Sequence, residues 1–122
     1  MTNNINQIKF LQNLKPGTLL LTKKAFKLRP SELSLMNDAQ NDFLDEDSKT
    51  KGMPEVAIKP LMPLVFLKSK THYFHLNDYD TTIIHRIYFL HGSKIVCMNY
   101  MDDYLLNPSL KEMLEIISTN NN

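Results

Sequence analysis

Apolar residues recur along this chain with two periods, and each change of period marks an element. Ile5, Ile8, Leu11 and Leu14 stand at three-residue spacing between Asn3-Asn4 and Pro16-Gly17, which predicts a short N-terminal helix over residues 1–15. From Thr18 the text becomes LLLTKKAFKL, a β-rich run that predicts the first strand, with Lys23, Lys24 and Lys27 towards solvent. The runs LMPLVFLKSKTHYF (61–74) and TIIHRIYFL (82–90) flank the turn-forming NDYD. They predict a hairpin centred on Asp78-Tyr79, with Tyr73 opposite Ile84 and His72 opposite His85. A second tight turn follows at HGSK (91–94), where Gly92-Ser93 suits a type II′ loop, before KIVCMNY returns. Asn107-Pro108 then reads as N-cap and first position of a C-terminal helix. Its apolar face would be Leu110, Met113, Leu114 and Ile117, at i, i+3, i+4 and i+7.

Residues 30–60 break both periods. Pro30, Pro54 and Pro60 punctuate sparse apolar text that contains Asp38, Asp42, Asp45, Glu46 and Asp47, so the segment reads as a long acidic surface loop with one helical turn around Glu32 to Met36. Charge shifts sharply at its start: residues 1–29 carry six Lys/Arg and no acid, whereas residues 30–50 carry six acids and one Lys. The acidic loop is therefore expected to fold back on the basic strand and screen it, the alternative being a pair of opposite docking surfaces. Over the whole chain the signs cancel, 14 Lys+Arg against 13 Asp+Glu, which leaves no global field towards nucleic acid or an anionic membrane.

At 122 residues and 43% apolar, one domain with one modest core is expected. The polar N-terminus has no signal-peptide core, and the longest near-apolar run, Leu61 to Leu67, is too short to cross a bilayer. The expectation is a soluble protein made in a reducing cytosol, with no membrane partner. A lone Cys97 in a strand-like run agrees with a reducing compartment and reads as a small buried hydrophobe.

Tyr100-Met101-Asp102-Asp103, between apolar flanks, looks like the metal-binding turn of reverse transcriptases over about twelve residues, from Ile95 to Leu106. Two-metal chemistry needs further carboxylates on separate strands, and the other acids of the chain fall in polar text, so Asp102 and Asp103 read as a turn. His72 and His75 are three apart in a strand and point to opposite faces, so they cannot both join His85 around a zinc ion. Three glycines, at 17, 52 and 92, build no phosphate-cradling loop, and no nucleophile constellation is visible. No catalytic residue, metal or cofactor is predicted, and the chain reads as a non-enzyme. Lys68, Lys70, Tyr73, Arg86 and Tyr88 could interleave on one sheet face as a nucleic-acid surface, an alternative that the near-zero net charge weakens.

From Pro16 onward the pattern resembles the small SH3-like β-barrel proteins of tailed phages, over roughly 85 residues. The matching stretches are LKPGTLLLTK, KPLMPLVFLKSK, HRIYFLHGSKIVCMNY and DDYLL, in the order opening strand, strand after a long loop, glycine hairpin and closing turn. What the resemblance implies is a mainly β fold: a small antiparallel SH3-like barrel or half-barrel over 16–106 with the acidic loop 30–60, a helical arm at 1–15 and a helix with polar tail at 107–122. It further implies a non-enzymatic interaction protein, a minor structural or accessory component of a virion, made in the host cytoplasm, that docks onto other protein subunits in an assembly; the alternative is a small β-barrel that binds nucleic acid or modulates a host protein. The N-terminal Ile5, Ile8 and Leu11 and the acidic Asp45, Glu46 and Asp47 are the expected partner-binding residues.

Overall fold

The computed structural model describes residues 13–36, 43–75, 77, 81–101 and 110–118. Among them are seven strands: β1 (Leu19–Thr22), β2 (Phe26–Ser31), β3 (Val56–Ile58), β4 (Pro63–His75), β5 (Thr81–His91), β6 (Lys94–Met101) and β7 (Leu114–Ser118). Three short helices accompany them: α1 (Leu33–Met36), α2 (Phe43–Lys49) and α3 (Leu110–Met113). The residues Ile5, Ile8 and Leu11 of the expected N-terminal helix, residues 78–80 of the expected turn, and Asp102 to Pro108 lie outside the described residues.

All strands join one antiparallel sheet in the order β3-β2-β6-β5-β4-β1-β7. That order cannot lie flat. β1 and β2 are four places apart, ~19 Å in a flat sheet, yet Lys23 to Ala25 between them span at most ~14 Å even when extended. The sheet therefore curls into a half-barrel, and the run expected as one strand, LLLTKKAFKL, is two strands that leave each other at Lys23. Thr22, fully buried, ties this corner to the β3–β4 connection. Its hydroxyl donates to Lys59 O (2.7 Å) and accepts from Met62 N–H (2.8 Å), while its own carbonyl accepts from Leu61 N–H (2.8 Å).

Leu20, Leu28, Ile58, Leu64, Phe66, Ile87, Phe89, Val96 and Tyr100 fill the concave interior, closed at one end by Leu14, Leu110, Met113 and Leu114. A second, smaller cluster, Met36, Tyr88 and Cys97 with Leu67 and Ile95, lies on the convex side. A bulge creates this division on β4. Phe66 pairs with Phe89 but Lys68 pairs with Tyr88, so Leu67 is an extra residue and the strand's face parity flips. Cross-strand partners share a face, hence Leu64 and Phe66 point inward whereas Lys68 and Lys70 point outward with Tyr88 and Arg86.

Three expectations are corrected here. The β4–β5 hairpin is in register one residue away from the expected pairing: His72 faces Ile84, Tyr73 faces Ile83, and His85 faces Thr71. The segment 30–60 is more than a loop with one turn, because α2 and β3 form within it alongside α1 at the expected turn. The C-terminal helix is a single turn, since the β-branched Ile116 and Ile117 continue instead as a strand beside β1. Leu110, Met113 and Leu114 are buried as the helical face required, but Ile117 is the extra residue of a bulge opposite Leu19/Leu20 and is exposed. The two-residue β5–β6 turn is as expected: Gly92 has φ +61 and Ser93 does not share the positive sign, the pattern of a type II′ turn.

Candidate functional site

The strands β1 to β6 contain six Lys/Arg and no Asp or Glu. Near-zero net charge thus conceals a segregation, because among the described residues every acid except Glu115 of β7 lies outside the strands. On the convex face the pairing lays out two rows, Lys68–Tyr88–Cys97–Arg29 and Lys70–Arg86–Asn99, ~7 Å apart along the strands. Such a surface left bare would repel itself.

It is not bare. In α2 the buried positions are Phe43, Glu46 and Thr50 just beyond its end, one helical face at i, i+3 and i+7. Asp45 and Glu46 sit in its first turn, where the helix dipole favours acids, and Asp45 pairs with Lys49 at 3.8 Å. Glu46, 2% exposed, reaches the sheet: one oxygen accepts from Lys70 Nζ (2.9 Å), the other from the Tyr88 hydroxyl and lies 3.5 Å from Arg86 Nη1. Asp47 Oδ1 bridges Arg86 Nη1 and Arg29 Nη2, both at 3.0 Å. Phe43 places its ring 4.2 Å from the Arg86 guanidinium carbon and 5.2 Å from the His72 ring. The carbonyls at the end of α1 are taken up as well, Met36 O by Lys68 Nζ (3.1 Å) and Leu35 O by Lys70 Nζ (2.7 Å). Asn99 Oδ1 accepts from Arg86 Nε at 2.8 Å.

Electrostatics follow from this geometry. Burial alone favours a neutral guanidine, but the hydrogen bond and charge of Asp47 outweigh it and hold Arg86 above its ordinary value. Burial, then the hydrogen bond to Glu46 and its charge, push the Tyr88 phenol far up. Burial likewise raises the Cys97 thiol to about 11, against the opposing pull of Arg86 and Arg29. Both groups stay protonated at neutral pH, so neither is a ready nucleophile.

The expected screening of the basic strand by the acidic segment is what the chain does: Asp47 folds onto Arg29 of β2. The anticipated partner-binding acids divide, Asp45 exposed, Asp47 partly covered and Glu46 wholly buried. Of the anticipated nucleic-acid face, Lys68, Lys70, Arg86 and Tyr88 do share one surface, beneath α1 and α2. Tyr73 stands on the opposite face, 60% exposed, paired with Ile83. His72 lies on the Lys68/Lys70 side, whereas His85 and His75 face the other way and bind Thr71 and Thr81 hydroxyls at 3.0 and 3.1 Å. No three metal-ligating side chains converge among the described residues. Tyr100, which polymerase analogy would aim at a template, is buried in the barrel core, and Asp102 and Asp103 lie outside the described residues.

Sequence reading missed a groove of about 510 Å³ where β3 stops short of the end of β2. Its walls come from Ser31, Leu33, Met53, Pro54, Val56 and Ile95, with Glu32, Glu55 and Lys94 around them. Leu33 and Met53 are 62% and 53% exposed, an unfavourable use of large apolar side chains unless something covers them. Their one sequence signal was apolar residues stranded in polar text. Among the described residues no helix is long and apolar enough to cross a membrane. No protein-family model, curated protein or solved structure matches the chain.

Proposed function

We propose that this chain is a non-enzymatic interaction module that docks onto another protein subunit through the groove between the end of β2, α1 and the β5–β6 turn. The observation that carries the reading is that opening itself, about 510 Å³, walled by apolar side chains and flanked by the exposed Leu33 and Met53. Clefts of this volume with a few polar groups at the margin suit one or two anchoring side chains of a partner segment. The curled sheet with a Gly92 hairpin leading into β6 supports an SH3-like architecture, and the sequence resemblance to phage barrels supports a place as a minor structural or accessory component of a virion.

A photo-crosslinking residue at Met53, compared with one at the exposed Glu112, tests this in a lysate of the source cells. One protein species should be captured from position 53 and not from 112, and Leu33→Asp should abolish the capture. Equal capture from both positions, or capture of nucleic acid alone from position 53, overturns the reading.

A further inference from the structure

The convex face of β2, β6, β5 and β4 carries Arg29, Lys68, Lys70 and Arg86 around Tyr88, with no acid among the strand residues of that face. Among the described residues, the negative charge that meets it comes from α2, through Glu46 and Asp47, and the carbonyls that meet it come from the end of α1. We propose that this face is a binding site for single-stranded nucleic acid, and that α1 and α2 are a strap occupying it in the unbound protein.

The chemistry that would be recognised is already present in the occupant. Two carboxylates and two carbonyl oxygens stand where phosphate oxygens would stand, and Phe43 covers Arg86 as a base would. Cations on neighbouring strands in rows ~7 Å apart, with an aromatic ring between them, are how sheet surfaces hold a sugar–phosphate chain and stack its bases. Arginine and lysine are both suited to phosphate, and Arg86 is already pre-oriented by Asn99.

Displacement is feasible because of what the strap is made of. Helices of four and seven residues do not hold themselves together without the surface they rest on. The charged contacts were desolvated to form, so lifting the strap returns both partners to water and recovers part of their cost. What resists is the apolar contact of Leu35, Met36 and Phe43. The cationic face shares no residue with the docking groove, but α1 serves both, as strap here and through Leu33 as a groove wall, so the variant at Glu46 and Asp47, which leaves every groove residue in place, separates the two proposals.

The test uses the full chain and a fluorescent oligo(dT) of about 12 nucleotides. The variant Glu46→Gln with Asp47→Asn keeps the shape of the strap and removes its charge. It should bind at least about tenfold tighter than the wild type, with affinity falling steeply as salt rises, and adding Lys68→Glu should cancel the gain. In the wild type, saturating oligonucleotide should speed amide exchange of residues 33–36 and 43–49 while β5 and β6 stay protected, a readout that does not depend on the variant folding. The inference is overturned if the double variant binds no tighter and the wild-type strap stays protected. It is overturned equally if polyglutamate gains as much as oligo(dT), which would make the ligand an acidic protein.

Discussion

Single side chains carry the most exposed commitments. Cys97 is buried and its thiol is raised to about 11, against an ordinary value near 9. In the folded chain it keeps its proton where the unfolded chain gives it up. Its contribution to stability is therefore complete below pH ~9 and is lost as pH rises towards 11. A thiol reagent at pH 8 should leave the native protein unmodified and label it fully in denaturant; rapid native labelling would contradict the burial. In Cys97→Ala the decline of stability between pH 9 and 11 should be shallower than in the wild type. Glu46 is the opposite kind of residue. The text around it reads as surface loop, whereas the chain forms a helix that puts Phe43, Glu46 and Thr50 on one face, and a buried carboxylate there makes sense only once Lys70, Arg86 and Tyr88 are known to lie beneath it.

Elements followed their local text where a turn or a run of β-branched residues dictated them, and departed from it where pairing across the sheet decided. The Gly92-Ser93 turn and the strands on either side are properties of ten or so adjacent residues, and they formed as expected. The β4–β5 pairing lies one residue from the register that the text NDYD suggests, since turn text without Gly leaves register to the cross-strand partners. The text LKEMLEIIS from Leu110 satisfies a helix and a strand almost equally; β1, needing a partner on its outer side, selected the strand from Leu114 onward. The corner at Thr22 is likewise tertiary. Thr22→Val keeps the shape but strips the hydroxyl from Lys59 O and Met62 N–H, leaving buried groups unpaired. It should cost about 2–3 kcal/mol in urea unfolding at an unchanged m-value. A loss below ~0.5 kcal/mol would mean that water replaces both bonds.

At the scale of the molecule, the curl brings together residues from opposite ends of the described chain, Leu20 against Ile116 and Lys23 N–H against Met113 O. Closure of such a non-local seam is expected late in folding. Leu114→Ala, at the buried start of β7, should cost about 2–5 kcal/mol and appear mainly as faster unfolding, with a φ-value below ~0.3. A φ-value near one would place the seam in the folding nucleus and refute that order of events. The same curl gives the charge balance its meaning: of 14 cations against 13 acids, six cations lie on strands β1 to β6, which hold no acid, and α2 supplies carboxylates against Arg29, Lys70 and Arg86.

A mainly β chain, its glycine hairpin, the solvent exposure of Lys23, Lys24 and Lys27, and the return of the acidic segment onto basic strand residues are all legible in the linear text. Each rests on period, turn chemistry or sign of charge, which are local quantities. Which face Lys68 and Lys70 occupy is set by strand pairing in the folded sheet, because one bulge residue, Leu67, reverses the parity of everything after it. Packing likewise makes Glu46 interior and sets Leu33 and Met53 beside a groove, because burial depends on which distant segment arrives above a side chain, and no local pattern encodes that arrival.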